Sequence, residues 1–213
     1  MAGQFRYDFI LSAFSIPGKR LLLTRFPVYP IICAMDIQFK TALADAMRDF
    51  HLPRYAELPS VGLYLEQTVL YINQCLKPLG FPEITGSMVR NYVKQGLIAN
   101  PVRKHYDTDQ VGYLICITIL KQVTPLEYLH RLFSRQKPSY SNPVAYDYFC
   151  TELENILFYR FGLKDSIEDV GVTSSVEKEM LRSAVTAVSH IIYMKACFQL
   201  LYPERPERKK HDP

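Results

Sequence analysis

The chain lacks the signatures that usually announce chemistry. It has no GxSxG elbow, no phosphate-binding P-loop, no GxGxxG following a strand and no HExxH pair. Its five cysteines, Cys33, Cys75, Cys116, Cys150 and Cys197, are widely spaced and form no CxxC or Cys/His ligand pattern. Neither a disulfide framework nor a zinc site is expected from that spacing, and a reducing, cytoplasmic setting suits it. Cys116 and Cys197 sit in apolar runs, where a thiol packs as a small hydrophobe. No run of 18 apolar residues occurs, so a membrane-spanning helix is not expected. His130 and His190 have no partnered ligand spacing. Glu152 and Glu154, two apart, fall on different sides of a helix and do not form a catalytic pair. Asp165, Glu168 and Asp169 read as a solvated acidic turn. The expectation is a protein that is not an enzyme, with no catalytic residues, no metal and no cofactor.

What is present is a folded composition with one electrostatic anomaly. A hydrophobic content of 48% with 13% aromatics excludes a disordered chain, and 213 residues can bury a substantial core. The net charge of +4 is modest, which excludes a globally basic nucleic-acid binder. Its distribution is uneven. Arg6, Lys19, Arg20 and Arg25 against Asp8 leave residues 1–34 at a net +3, so the rest is almost neutral. Within that rest, residues 85–106 hold Arg90, Lys94, Arg103 and Lys104 and no Asp or Glu.

The head, residues 1–34, makes a poor signal peptide, because charge follows its first apolar run and Pro17, Pro27 and Pro30 interrupt it. Met35 then opens a credible helical start. The head therefore reads as an extension from a mis-called start, which an intact mass from the native host would decide. Apolar residues at three- and four-residue steps predict a helix over 37–50 and another over 63–76 with Ser60 as its cap. The spacing predicts a third helix after Thr85, ended by Gly96. A helix capped by Asp107 or Thr108 follows, apolar on nearly all sides and hence central. Thr124-Pro125 starts a short helix in which Leu126, Leu129 and Phe133 share a face. The polar segment 134–142 reads as a domain boundary, followed by helices over 143–161 and 174–201, the latter capped by Thr173 or Ser174. Leu181, Val185, Val188, Ile191, Ile192 and Phe198 give the last helix a broad apolar stripe suited to a bundle or dimer contact. The tail, 204–213, reads as disordered.

The third helix is the most informative element. Ser87, Arg90, Asn91 and Lys94 recur at i, i+3, i+4 and i+7 and share one face, while Val89, Val93 and Leu97 recur at i+4 on another, which can anchor the helix to a core. A second basic cluster, Arg103 and Lys104, follows within a few residues. This is the pattern of a short DNA-reading helix followed by a wing. Taken alone it also fits a plain solvated helix face.

The order of helix, recognition helix, basic wing, apolar helix and short helix resembles the DNA-binding domain of the MerR regulators. Their recognition helix reads T-L-R-Y-Y-E-x-x-G-L-L, and residues 88–98 here read MVRNYVKQGLI. Their wing has a proline, basic residues and a closing tyrosine, matched by Pro101, Arg103, Lys104 and Tyr106; Pro125 to Leu129 is in register with their S-L-E-E-I segment. More narrowly, LPRYAELPSVGLYLEQ followed by ITGSMVRNYVKQGLI is similar to a Gram-positive bacterial family known only as a domain of unknown function and treated as MerR-like regulators. That similarity covers about residues 37–137. Three departures stand out: Asn91 replaces an aromatic, Val93 replaces an acid, and the wing is shorter and lacks the usual glycine.

The resemblance implies a predominantly helical, all-α fold. Its parts are a MerR-like winged helix-turn-helix domain over 35–137 and a C-terminal helical dimerisation or effector region over 138–203. It implies a sequence-specific transcriptional regulator, repression being favoured, that binds double-stranded DNA as a homodimer and no membrane. Helix 85–96 would enter the major groove and the wing, 101–106, would lie on phosphates. Arg90, Lys94 and Asn91 suit guanine and adenine edges or phosphates. Ser87 can hold a phosphate at the helix N-terminus. Arg103, Lys104 and His105 would neutralise phosphates, Tyr106 would buttress the wing, and Tyr92 would pack or donate to a phosphate. Tyr146, Tyr148, Phe149, Phe158, Tyr159 and Phe161 read first as core, with an unknown apolar small-molecule effector as the other reading. The alternative function is a helical protein–protein interaction module or an excisionase-like architectural factor on the same fold.

Overall fold

A computed structural model describes residues 28–171 and 175–203, with side chains from Asp36 onward. The chain divides into two compact units, residues 1–36 and Ile37–Pro213. The tail 204–213 and the caps Thr173 and Ser174 lie outside the described residues, as do residues 1–27 of the head. The fold is predominantly helical. Its helices are α1 (Val28–Met47), α2 (Leu65–Leu76), α3 (Gly86–Lys94), α4 (Thr108–Leu120), α5 (Leu126–Gln136), α6 (Asn142–Arg160) and α7 (Val176–Leu201), and its two strands are β1 (Leu63–Tyr64) and β2 (His105–Tyr106).

Helix α1 begins earlier than the spacing predicts and runs across the 34/35 boundary. Pro30 falls in its first turn, where the missing N–H has no intrahelical partner to lose. The centre of the second unit is α4. From Gln110 to Leu120 every residue except Tyr113 is buried, and α2, α5, α6 and α7 pack around it. Asp107 caps it by accepting the Gln110 N–H at 2.8 Å, while the Gln110 side chain accepts the Asp107 N–H at 2.9 Å. Such a reciprocal cap satisfies two orphan donors of the first turn.

Other expected caps differ. Helix α2 starts after Tyr64, not near Ser60, because Gln67 reaches back to accept the Tyr64 N–H at 2.9 Å. Pro125 itself occupies the cap position of α5. Helix α7 is capped by Ser175, which accepts the Lys178 N–H at 3.3 Å. Its buried stripe is Val185, Val188, Ser189 and Ile192, and Phe198 is exposed instead. The polar segment 134–142 separates two stretches of chain but not two cores. Leu129 before it and Phe149, Leu153 and Leu157 after it belong to the same buried cluster.

The strap over 51–57 ties this cluster together. Glu154 of α6 accepts from the Leu52 N–H at 2.8 Å and from the Arg54 guanidinium at 2.9 Å, and Asp147 accepts the Tyr55 N–H at 2.7 Å. The charged partner holds the Arg54 guanidinium above its already high ordinary range. Glu152, as expected, faces elsewhere. Its carboxylate is fully buried without a hydrogen bond, with Arg182 Nε 3.3 Å away, and burial pushes its pKa up against the opposing pull of Arg182.

Candidate functional site

Helix α2, a short 3-10 turn at Lys77–Leu79, helix α3 and the hairpin before α4 form a continuous unit. Asn73 of α2 fixes the connection by accepting the Ile84 N–H at 2.9 Å and donating to the Ile84 carbonyl at 3.1 Å. Thr85 caps α3 and accepts the Met88 N–H at 3.4 Å. Gly86 permits a close approach: a Cβ there would lie 3.1 Å from Leu65 Cδ2 of α2. Gly96 ends the helix in the left-handed region at φ +72, with the Leu97 N–H donating to the Tyr92 carbonyl at 3.0 Å.

Helix α3 presents two faces. Val89 and Tyr92 are buried, while Ser87, Arg90, Asn91 and Lys94 are exposed together on the outer face. The Ser87 and Thr85 hydroxyls lie 2.8 Å apart, and Asn91 Oδ1 accepts from the Gln95 amide at 3.3 Å. Tyr92 leaves the contact surface. It is 3% exposed, and its hydroxyl accepts from Lys121 Nζ at 3.2 Å. Its packing reading stands, and the phosphate reading does not fit its position.

The wing is a tight hairpin. Val102 and His105 exchange both backbone hydrogen bonds, at 3.1 and 2.9 Å, around the two residues Arg103 and Lys104. Both take positive φ, 51 for Arg103 and 66 for Lys104, as a two-residue turn between antiparallel strands demands. Glycine normally fills such positions, and a side chain there costs roughly 1–2 kcal/mol per residue. The missing glycine of the sequence thus becomes two strained cations at the hairpin tip, both exposed.

Strand β2 anchors this tip to α2. It pairs antiparallel with β1, Leu63 opposite Tyr106 and Tyr64 opposite His105. The His105 ring lies on the Tyr64 ring at 4.1 Å between centroids, and its Nδ1 is 2.9 Å from the Arg103 carbonyl. Tyr106 is buried at 4% exposure and serves as the buttress. Burial raises its pKa, the Arg90 charge lowers it and the Glu66 charge raises it. Those two charges place the outer face of α3 and the start of α2 electrostatically close to the hairpin. Glu66 was not foreseen as a neighbour, because only the β1–β2 pairing brings α2 alongside residues 105–106. Among the described residues, none of Arg90, Lys94, Arg103 and Lys104 is ion-paired.

The structure therefore gathers Ser87, Arg90, Asn91 and Lys94 on one exposed face and Arg103, Lys104 and His105 on the hairpin, with Tyr92 and Tyr106 behind them. The helix that carries the face is about 14 Å long for its nine residues. Chemically it offers hydrogen-bond donors and positive charge. Among the described residues no group of three His, Cys, Asp or Glu could hold a metal ion. Burial drives the Cys150 thiol up to about 12 and the Cys116 thiol well above its ordinary value, so neither is held as a thiolate at neutral pH. No curated protein and no solved structure matches the chain. Residues 53–149, from the strap through the hairpin and α4 into α6, match the model of a family described as Domain of unknown function (DUF1836).

Proposed function

We propose that this protein is a sequence-specific regulator of transcription that binds double-stranded DNA through a MerR-like winged helix-turn-helix, acting as a repressor. The observation that supports this most is the acid-free outer face of α3, its cations without an ion pair among the described residues, beside a hairpin whose tip holds two cations in strained left-handed geometry. Residual strain concentrates where function needs a fixed geometry. In this reading α3 lies in the major groove, where Arg90 and Lys94 reach guanine edges or phosphates and Asn91 reaches adenine. Arg103, Lys104 and His105 neutralise phosphates at the flank.

The hairpin supplies a test that separates binding from folding. Arg103→Asn with Lys104→Gly installs the sequence that such a turn prefers. The variant is expected to gain about 1–2 kcal/mol in urea unfolding, while losing DNA affinity. Its log–log salt slope should become shallower by about 2 per subunit. A variant that gains stability and keeps full affinity would remove the wing from the interface.

The partner is a second copy of the chain. Helix α7 packs on α6 by one side, yet Met180, Met194 and Leu201 on its other side are 49%, 52% and 58% exposed. With Ala187 they fall at steps of seven residues, the seam of a two-helix contact. The same helix is also long and apolar enough, by length and composition, to cross a membrane. Its first turns carry Glu177, Lys178, Glu179 and Arg182, and its opposite stripe is buried in protein, which favours the helix–helix seam. Ala187→Arg with Met194→Glu is expected to convert a dimer to a monomer in sedimentation velocity at micromolar concentration. A wild-type monomer at that concentration would refute the seam.

Genome-fragment selection by the purified chain at low and moderate salt tests the function itself. Enrichment of an inverted repeat is the expected result. Absence of enrichment at both salts would favour the protein-interaction reading, and sequence-independent bending would favour an architectural factor.

A further inference from the structure

We infer that the half-open pocket lined by α4, α5, α6 and the first turns of α7 is a binding site for a small, neutral, aromatic molecule. Its volume is about 270 Å³. Close-packed interiors leave few voids larger than one water, so a space of this size is not ordinary packing slack. It sits at the lower end of ligand pockets, roughly 300–1,000 Å³, which limits the occupant to one or two rings.

The wall chemistry selects the class. Tyr113, Phe133, Tyr140, Tyr148, Phe149 and Leu181 are among the lining residues. Tyr113 and Phe133 already meet edge-on, with centroids 5.2 Å apart, the arrangement a further ring would extend. Several polar groups of the lining are committed to one another, while the Tyr146 hydroxyl is buried without a hydrogen-bond partner among the described residues. Tyr55 donates to Asp109 at 2.7 Å, Tyr113 donates to Asn142 at 2.8 Å, and Glu177 takes the Arg135 guanidinium at 2.6 Å. A neutral ligand leaves these three pairs intact. Lys178 lies over the Tyr148 and Tyr140 rings at 5.0 and 5.7 Å and adds a cation to that end of the lining. A pocket lined mainly by apolar and aromatic side chains takes such a guest through the apolar surface that leaves water.

Of the aromatics on α6, Tyr146, Tyr148 and Phe149 line this space. Phe158 is half-buried against the core, Tyr159 is exposed, and Phe161 is buried against Tyr193, so none of these three belongs to the site. The floor is α4, whose cap residue Asp107 directly follows Tyr106 of the hairpin. An occupant therefore bears on the element that carries the wing, and a change in operator affinity follows if the DNA-binding reading holds. Ligand binding itself does not depend on that reading.

The probe is indole, which can be excited selectively because the chain contains no tryptophan. The full chain is expected to bind it saturably at one site per subunit, with blue-shifted emission and nuclear Overhauser contacts to the Tyr113 and Phe133 rings. Ala145, half-buried on the cavity wall, provides the blocking variant. Ala145→Phe is expected to weaken binding at least tenfold while its circular dichroism remains that of the wild type. Non-saturable binding overturns the assignment. So do contacts confined to Met180 and Met194 on the outer side of α7, or unchanged affinity in a folded Ala145→Phe. Should that variant not fold, the wild-type contacts to Tyr113 and Phe133 decide alone.

Discussion

The Arg90→Ala, Lys94→Ala double variant is expected to bind operator DNA at least a hundredfold more weakly than the wild-type chain, with little change in stability. Both side chains are exposed on the outer face of α3 and neither is ion-paired among the described residues, so little stability is expected to rest on them. Surface changes of this kind shift stability by about 0.5 kcal/mol or less. A lost base contact costs about 1–3 kcal/mol, so two losses of about 1.4 kcal/mol each already reach about a hundredfold. The salt dependence gives an independent reading. Four cations per subunit predict a dimer slope of roughly −7, and removing two per subunit should bring it to roughly −3 or −4. A drop in affinity with an unchanged slope would mean that the variant perturbs the helix and not the contacts. Unchanged affinity in a folded double variant would take α3 out of the DNA interface.

The residues behind this prediction differ in how readily the sequence reveals them. Thr85, Gly96 and Asp107 act within one turn of their own positions, so their roles are visible locally, and so is the burial of α4. The 3.6-residue period also places Ser87, Arg90, Asn91 and Lys94 on one face without any tertiary information. What stays hidden is non-local. Ser60 looks like a cap, but β1 forms instead because His105 and Tyr106 pair with it from forty residues away. Strands of two residues have no period to detect. Arg103 and Lys104 advertise charge but not their left-handed geometry, since nothing in either side chain prefers it. The depth of Tyr92 follows from its contact with Lys121 of the segment after α4. The cavity is more hidden still, because its walls come from four helices. The tyrosines that line it read, one at a time, as ordinary core.

The second large effect concerns what holds these pieces in place. Glu154→Ala is expected to destabilise the protein by about 3 kcal/mol, because it strands a guanidinium and a backbone donor together. Glu154 is 12% exposed at its side chain and the Arg54 side chain 29%, so the pair is largely withdrawn from water. Its carboxylate also takes the Leu52 N–H, which no neighbouring acceptor can replace without moving the strap. Arg54 keeps partial access to solvent, which places the cost at the lower end of buried-pair losses. For a chain of this size the fall in melting temperature is about 6–12 °C. Glu57→Ala is the contrast: Glu57 takes the Arg54 N–H and His51 from an exposed position, and its loss should lower the melting temperature far less. A double-mutant cycle between Arg54 and Glu154 should return a coupling of about 1–3 kcal/mol. Zero coupling would show that the two side chains are solvated independently. The strap leads through Pro59, whose carbonyl accepts from Thr108 at the start of α4, directly into β1. Loosening it should therefore reach the hairpin as well, and amide exchange at His105 and Tyr106 should accelerate in Glu154→Ala before any exchange change appears in the centre of α4.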